Sequence, residues 1–268
     1  MSAADSARLR QIRGLALLIG ALSVVVVAVS AYLRLEAAGI GCADWPACYG
    51  RILAGDPPAL HYGAARLLHR FSASAALILA CIMVWRCLRP SRLINVARPA
   101  LWLLGLMLAL SVLGFFSADP RRSLVAFLNI VGGLGLVTFS WRVAMAAREV
   151  QPPAAPKTTL FQAGVLLLSI AVALGAWIGA TYSSVACLQV PFCATDGVDA
   201  SGWQALNPLR LATLAPAPGD GGGVLLNLLH RGFALLAVIV LGFAAWSMRS
   251  GGAGAAARLV LLMLRLVV

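Results

Sequence analysis

The chain has 268 residues, 61% of them hydrophobic and only 11% charged, with a mean hydropathy of +0.92. A soluble domain carries about a quarter charged residues, so this composition excludes an ordinary soluble fold and predicts an all-α polytopic membrane protein. The formal net charge of +12 raises nucleic acid as a partner, but its distribution along the chain argues against one.

Arg8, Arg10 and Arg13 precede the first apolar run, Leu15–Leu33. That run is too long for a signal-peptide core and has no small-residue cleavage site before Tyr32, so a retained first helix is predicted. A loop over 34–63 carries Cys42-Ala-Asp-Trp-Pro-Ala-Cys48. The second run, Ala64–Trp85, holds His69-Arg70 near its start, and Pro99–Phe116 and Ser123–Trp141 follow. These four spans make a first half-bundle, 1–150. The second half, 151–268, has a run over Leu160–Tyr182 and a loop over 183–224 with Cys187-Leu-Gln-Val-Pro-Phe-Cys193. The run Leu225–Trp246, with His230-Arg231, comes next. A seventh run begins near Ala255 and meets the chain end at Val268. It would put Arg265 near mid-membrane at roughly 2.5–3.5 kcal/mol on insertion scales. Arg258 and Arg265 share a helical face, so an interfacial amphipathic helix and a truncated reading frame stay open beside a seventh span.

The N-terminus, the Arg86–Arg98 and Arg142–Lys157 loops and the Arg249–Arg258 segment hold twelve Lys or Arg and two acids, Asp5 and Glu149. The opposite side holds the other seven acids: Glu36, Asp44, Asp56, Asp119, Asp196, Asp199 and Asp220. The positive-inside rule then predicts a cytoplasmic N-terminus, and both Cys loops outside. The basic charge is topological, and no nucleic-acid partner is expected.

An outer, oxidising compartment permits disulfides. Each Cys pair reads structurally as a staple shaping a loop, and functionally as a thiol-exchange or metal-capture site. No His stands at zinc spacing, and there is no C-x-x-C-H for covalent haem. Cys81 and Cys87 read as unpaired core or interface residues. The histidines carry more information. Polar groups in a bilayer are costly and usually face a site. His69 and His230 occupy matched positions near the outer ends of their spans. A neutral imidazole there suits haem iron, and a following Arg matches a haem propionate; the alternative is a His bonded within the bundle beside a snorkelling Arg. His61 has no counterpart in the other half and reads as solvated. Gly105, Gly132, Gly133, Gly175 and Gly179 are expected to allow close helix approach, and Gln162 and Thr138 to be internally hydrogen-bonded.

The segment Arg34-Leu-Glu-Ala-Ala-Gly-Ile-Gly-Cys42-Ala-Asp-Trp-Pro-Ala-Cys48-Tyr-Gly resembles the first outer loop of the haem A synthase family. His69-Arg70 and His230-Arg231 resemble that family's paired haem-ligand helices, and Leu174-Gly-Ala-Trp177 through Cys187 its fifth helix and second Cys loop. The resemblance implies two pseudo-symmetric half-bundles, with six to seven of eight expected spans seen here. It implies an oxidoreductase of the cell inner membrane that converts the C8 methyl of haem O to a formyl group, giving haem A for terminal oxidases. His69 and Arg70 would then face substrate haem O, and His230 and Arg231 a haem b cofactor. Partners implied are the lipid bilayer, haem O synthase and terminal oxidase subunits, with a homo-oligomer left open.

The chain departs from the family pattern in places. Arg66 stands where the family has a Glu three residues before the first His. Asn129, in Asn129-Ile-Val-Gly132-Gly133, stands where the family has a second His. The eighth span expected to supply the partner of His230 is not seen. Glu36 and Asp44, in the first outer loop, are the candidates for handling protons in place of the Glu. Three readings follow: a haem A synthase-type enzyme, a non-enzymatic haem-binding assembly or transfer factor, and a membrane thiol-oxidoreductase using the Cys pairs.

Overall fold

The computed structural model describes residues 3–37, 63–91, 93–116, 121–148, 158–189, 193, 195, 198–212 and 219–250. Among them the long elements are α1 (Ala3–Ala37), α2 (Gly63–Leu88), α3 (Ile94–Gly114), α4 (Ser123–Ala146), α5 (Thr159–Thr181) and α6 (Gly221–Ser250). Two short 3-10 helices, Ser183–Ala186 and Ala200–Leu206, lie between α5 and α6. No strand occurs among the described residues, and all six long helices are long and apolar enough to cross a bilayer. The protein is an all-α, multi-pass membrane protein. Cys42, Cys48, Asp44, His61 and the run from Ala255 to Val268 lie outside the described residues, as does the side chain of Glu36.

Each helix covers its apolar run, with polar flanks added. The largest addition is at α1, which starts twelve residues before the apolar run that begins at Leu15. The reason is packing: Arg8, Leu9 and Ile12 are buried. α3 begins at Ile94, so Pro99 sits inside it and not at its start.

The chain divides into two compact units, Met1–Pro152 and Pro153–Val268. In the first, α1 packs on α2 and α4, and α3 packs on α2 and α4. Among the described residues neither diagonal pair, α1 with α3 or α2 with α4, touches. The four helices therefore form a ring in chain order. The short connections 89–93 and 115–122 make successive helices antiparallel, so α2 and α4 start at the same end of the ring. Ile12, Ile19, Ala80, Met83, Leu103 and Val143 fill its centre. The rim is apolar too: Phe71, Trp102 and Phe115 are 74%, 69% and 84% exposed. Such a surface is costly in water and natural against lipid.

Gly132 and Gly133 permit the close approach expected of them. A Cβ on Gly132 would lie 2.5 Å from a methyl of Leu110, and one on Gly133 2.7 Å from a methyl of Val27. Gly105 does not: nothing lies within 4 Å of where its Cβ would be. Thr138 donates to the Leu134 carbonyl at 2.9 Å, as expected of a hydroxyl in a span. Gln162 differs, because it lies exposed near the start of α5 and its side chain forms no hydrogen bond among the described residues.

In the second unit, α5 and α6 pack along each other, and both 3-10 helices pack on α6. Thr158 caps α5 by accepting the Phe161 amide at 3.3 Å.

Candidate functional site

The second unit is assembled around the first three turns of α6. Asp220 caps that helix, its Oδ2 accepting the Gly223 amide at 2.8 Å, which satisfies one of the free first-turn donors. The glycines that follow answer to crowding. A Cβ on Gly223 would meet Cβ of Ala186 at 2.5 Å, and one on Gly222 would meet Cβ of Ala205 at 2.9 Å. Both 3-10 helices can therefore rest directly on the helix start. One turn on, buried Asn227 donates to the carbonyls of Ser183 and Gly223, each at 2.9 Å. α5 ends at Tyr182, a buried residue with φ 58°. That left-handed backbone costs roughly 1–2 kcal/mol for a residue with a Cβ. Trp177 of α5 donates from Nε1 to the Ala205 carbonyl at 2.8 Å, tying α5 to the second 3-10 helix. Asp199 caps that helix, and the Ser201 hydroxyl and amide beside it hold its carboxyl below the usual carboxylate range.

On this frame His230 reaches α5. Its Nδ1 lies 2.8 Å from the carbonyl oxygen of Ala171. A carbonyl only accepts, so in the neutral ring Nδ1 carries the proton and Nε2 the lone pair. Gly175 stands four residues after Ala171, the position whose own amide this carbonyl accepts in an α-helix. A Cβ there would lie 3.0 Å from Cε1 and 3.3 Å from Nδ1 of His230. Gly175 is thus a packing requirement of the imidazole. A neutral imidazole, fixed in one tautomer by a backbone carbonyl through one nitrogen, is the usual state of a metal-binding His. The donor chemistry of His230 fits a residue that would hold a haem iron.

Arg231, one residue on and about 100° around the helix, turns elsewhere. Its guanidinium donates to the Gln189 carbonyl at 2.7 Å and the Cys187 carbonyl at 3.1 Å, and approaches Cys193 Sγ at 3.8 Å. Cys187 and Cys193 are joined in a disulfide, their Cα atoms 5.6 Å apart, within the ordinary range. Arg231 therefore grips a stapled loop. Sequence reasoning gave it a propionate and missed the loop carbonyls; nothing in the residue spacing signals them.

In the first unit, His69 is the seventh residue of α2 and Asn129 the seventh of α4. The two helices are diagonal in the ring and start at the same end, so both residues lie at one level of the bundle. Both are half-buried, and among the described residues neither side chain forms a hydrogen bond. His69 retains both nitrogens for other partners, which fits a ligand role by donor chemistry. Arg66 and Arg70 are exposed on the same helix. The matched placement of the two histidines is approximate: His230 is the tenth residue of α6, because that helix begins earlier than its apolar run. Cys81 is exposed and Cys87 buried, and both are free thiols. No group of three or more His, Cys, Asp or Glu gathers among the described residues.

No protein-family model matches the chain. Two curated proteins named Heme A synthase are similar to it. One, from Shewanella oneidensis, is 25% identical over 202 residues, covering 66% of this chain and 59% of the relative. Another, from Symbiobacterium thermophilum, is 31% identical over 122 residues, covering 44% of this chain and 37% of the relative. The chain thus spans 59% and 37% of the lengths of these relatives. The two matches support a relationship of this chain to the haem A synthase family.

Proposed function

We propose that the chain is a haem A synthase-type oxidoreductase of the cell inner membrane, acting on the C8 methyl of haem O to give the formyl group of haem A. The observation that carries this reading is His230, whose Nδ1 is engaged by the Ala171 carbonyl while its ring packs on Gly175. In this reading His230 would hold haem b, and His69 the substrate haem O, with Asn129 on the diagonal helix of the same bundle. Haem, when bound, supplies the redox chemistry. The chain's residues orient and enclose it. The Ala171 carbonyl fixes the imidazole tautomer and raises its basicity. Arg231, bonded to the carbonyls of Cys187 and Gln189, and the Cys187–Cys193 disulfide fix the segment that follows the first 3-10 helix. Glu36 and Asp44 take the proton-handling role, and a Glu36→Gln, Asp44→Asn double variant that keeps full haem A production removes them from it. The N-terminus is cytoplasmic, the Cys loops are periplasmic, and haem O synthase and terminal oxidase subunits are partners.

A second reading is favoured by Arg66 and Asn129. Neither supplies a carboxylate or an imidazole, and a first unit without them suits a haem-transfer factor that performs no oxidation. Haem extraction from the purified protein separates the two. Haem b together with haem O or A, each lost with a different one of His69→Ala and His230→Ala, supports the enzyme. Haem b alone, lost only with His230→Ala, supports the transfer factor. A protein purified with no haem at all refutes both.

A further inference from the structure

A second polar constellation lies at the other end of the first unit, away from His69. α2 ends at Leu88 and leaves its last carbonyls without helical partners. The Trp85 carbonyl accepts the Arg89 amide and the Cys87 carbonyl accepts the Leu93 amide, each at 3.0 Å. The Arg86 carbonyl is taken by Arg8 of α1, whose Nε donates to it at 2.7 Å. The same guanidinium reaches the Ser91 hydroxyl at 3.2 Å and the Ser91 carbonyl at 2.7 Å. A cation is well placed at a helix C-terminus, and here it clamps the start of α1 to the end of α2.

The clamp forms one wall of an open groove of about 860 Å³ lined by Ala7, Arg8, Gln11, Trp85, Arg86, Arg89 and Pro90. Three of those seven residues are arginines and none is acidic. Among the described residues the Arg86 guanidinium makes one hydrogen bond, from Nη1 to Gln11 Oε1 at 2.6 Å. Arg89 stacks over Trp85, its guanidinium carbon 5.8 Å from the ring centroid. Among the described residues Arg8, Arg86 and Arg89 make no ion pair. Three guanidinium groups therefore converge on one groove whose lining holds no carboxylate, and among the described residues most of the donors of Arg86 and Arg89 are unspent.

The position of the groove selects the anion. The α1 span runs over 31 residues, longer than the about 20 needed to cross the hydrocarbon, so its polar first turns reach the headgroup layer. Trp85, 65% exposed, marks the same level on α2, where indole rings collect at membrane interfaces. The groove thus faces lipid headgroups. Guanidinium forks match phosphate oxygens in pairs, and basic pockets between spans at this depth suit anionic headgroups.

The geometry points to a binding site for the phosphodiester headgroup of an anionic phospholipid, with Arg86 and Arg89 as its principal ligands, Trp85 as its floor and Arg8 as the fixed charge behind it. The site is independent of the haem reading.

Native mass spectrometry of the full chain, released from detergent with dioleoyl phosphatidylglycerol or dioleoyl phosphatidylcholine, tests it. Wild type is expected to retain phosphatidylglycerol over phosphatidylcholine. The Arg86→Gln, Arg89→Gln double variant is expected to weaken that retention roughly tenfold. An Arg142→Gln, Arg148→Gln variant, which removes as much charge elsewhere, is expected to stay within about twofold of wild type. Arg89→Gln alone, which within the protein gives up only the contact with Trp85, serves if the double variant does not fold, and is expected to weaken the retention in the same direction. Equal retention of the two lipids overturns the proposal. So does an equal loss in both double variants, which means diffuse attraction. Displacement of phosphatidylglycerol by millimolar inorganic phosphate overturns it too, since the groove is then a small-anion site.

Discussion

The imidazole of His230 is anchored to the backbone of the preceding span: its Nδ1 sits 2.8 Å from the carbonyl oxygen of Ala171. The contact exists because Gly175, one turn along, has no side chain to cover that carbonyl. A helix with Ala at 175 would put a methyl 3.0 Å from Cε1, tighter than ordinary van der Waals contact, and the ring would have to give by a few tenths of an ångström, at the expense of its bond to Ala171.

Gly175→Ala is expected to fold, since Ala favours the helix by roughly 1 kcal/mol over Gly, yet to weaken haem retention by about tenfold or more, the usual effect of losing a ligand's supporting hydrogen bond. Gly175→Val should abolish retention. The reduced haem spectrum of the purified variants, with Gly105→Ala as the control, checks it. Haem content equal to wild type in both Gly175 variants removes His230 as the ligand.

Glycines in the first unit make a graded set. A Cβ on Gly133 would strike a methyl of Val27 at 2.7 Å, and one on Gly132 would strike Leu110 at 2.5 Å. The Leu methyls are the far end of a flexible chain and can swing away; the β-branched Val has one strongly preferred rotamer in a helix and cannot. Gly133→Ala is therefore expected to be the more damaging, by about 1–3 kcal/mol of overpacking, despite its slightly longer contact. Gly105→Ala, with nothing within 4 Å, should be neutral or stabilising. Thermal unfolding in detergent ranks the three, and a ranking with Gly132→Ala worst contradicts the argument.

The six spans were legible in the sequence because apolar length is nearly all that a bilayer demands of a helix. What apolar length did not reveal is where each helix starts. Arg8 extends α1 by clamping the end of α2, and a hydropathy reading counts that residue only as a charge. His230 stood out because an imidazole in an apolar run has few uses. Its acceptor did not, since Ala171 contributes only a backbone atom and Gly175 reads as one small residue among many. The role of Arg231 was hidden for the same reason: its partners are the carbonyls of Cys187 and Gln189, which carry no side-chain signature.

Arg231 offers a test of that loop. Hydrogen bonds from a charged donor contribute about 1.5–3 kcal/mol each. Arg231→Ala is expected to raise amide hydrogen exchange across 187–189 by on the order of tenfold or more, with α5 unchanged. Arg231→Lys should recover only part of the protection, because an ammonium lacks the fork that spans two carbonyls. Unchanged exchange in both variants means the loop is held by the disulfide alone.

The disulfide and Arg231 act on the same segment, so their effects should not add. A Cys187→Ser, Cys193→Ser variant opens a closed segment with a sequence separation of six residues, for which loop-closure entropy gives roughly 2–3 kcal/mol. With the staple gone, the carbonyls of Cys187 and Gln189 are presented to Arg231 less often, and removing the guanidinium then costs less. A double-mutant cycle on thermal stability, combining the Ser pair with Arg231→Ala, is expected to show a coupling of about 0.5–3 kcal/mol, the range for residues sharing one network. A staple also predicts that the Ser pair loses stability while keeping haem. Loss of all activity in a Ser-pair protein that retains its fold and haem would instead make the cysteines chemical participants, as a thiol-oxidoreductase requires. Strict additivity in the cycle would mean that the Arg231 bonds survive without the disulfide and that the loop has a second source of order.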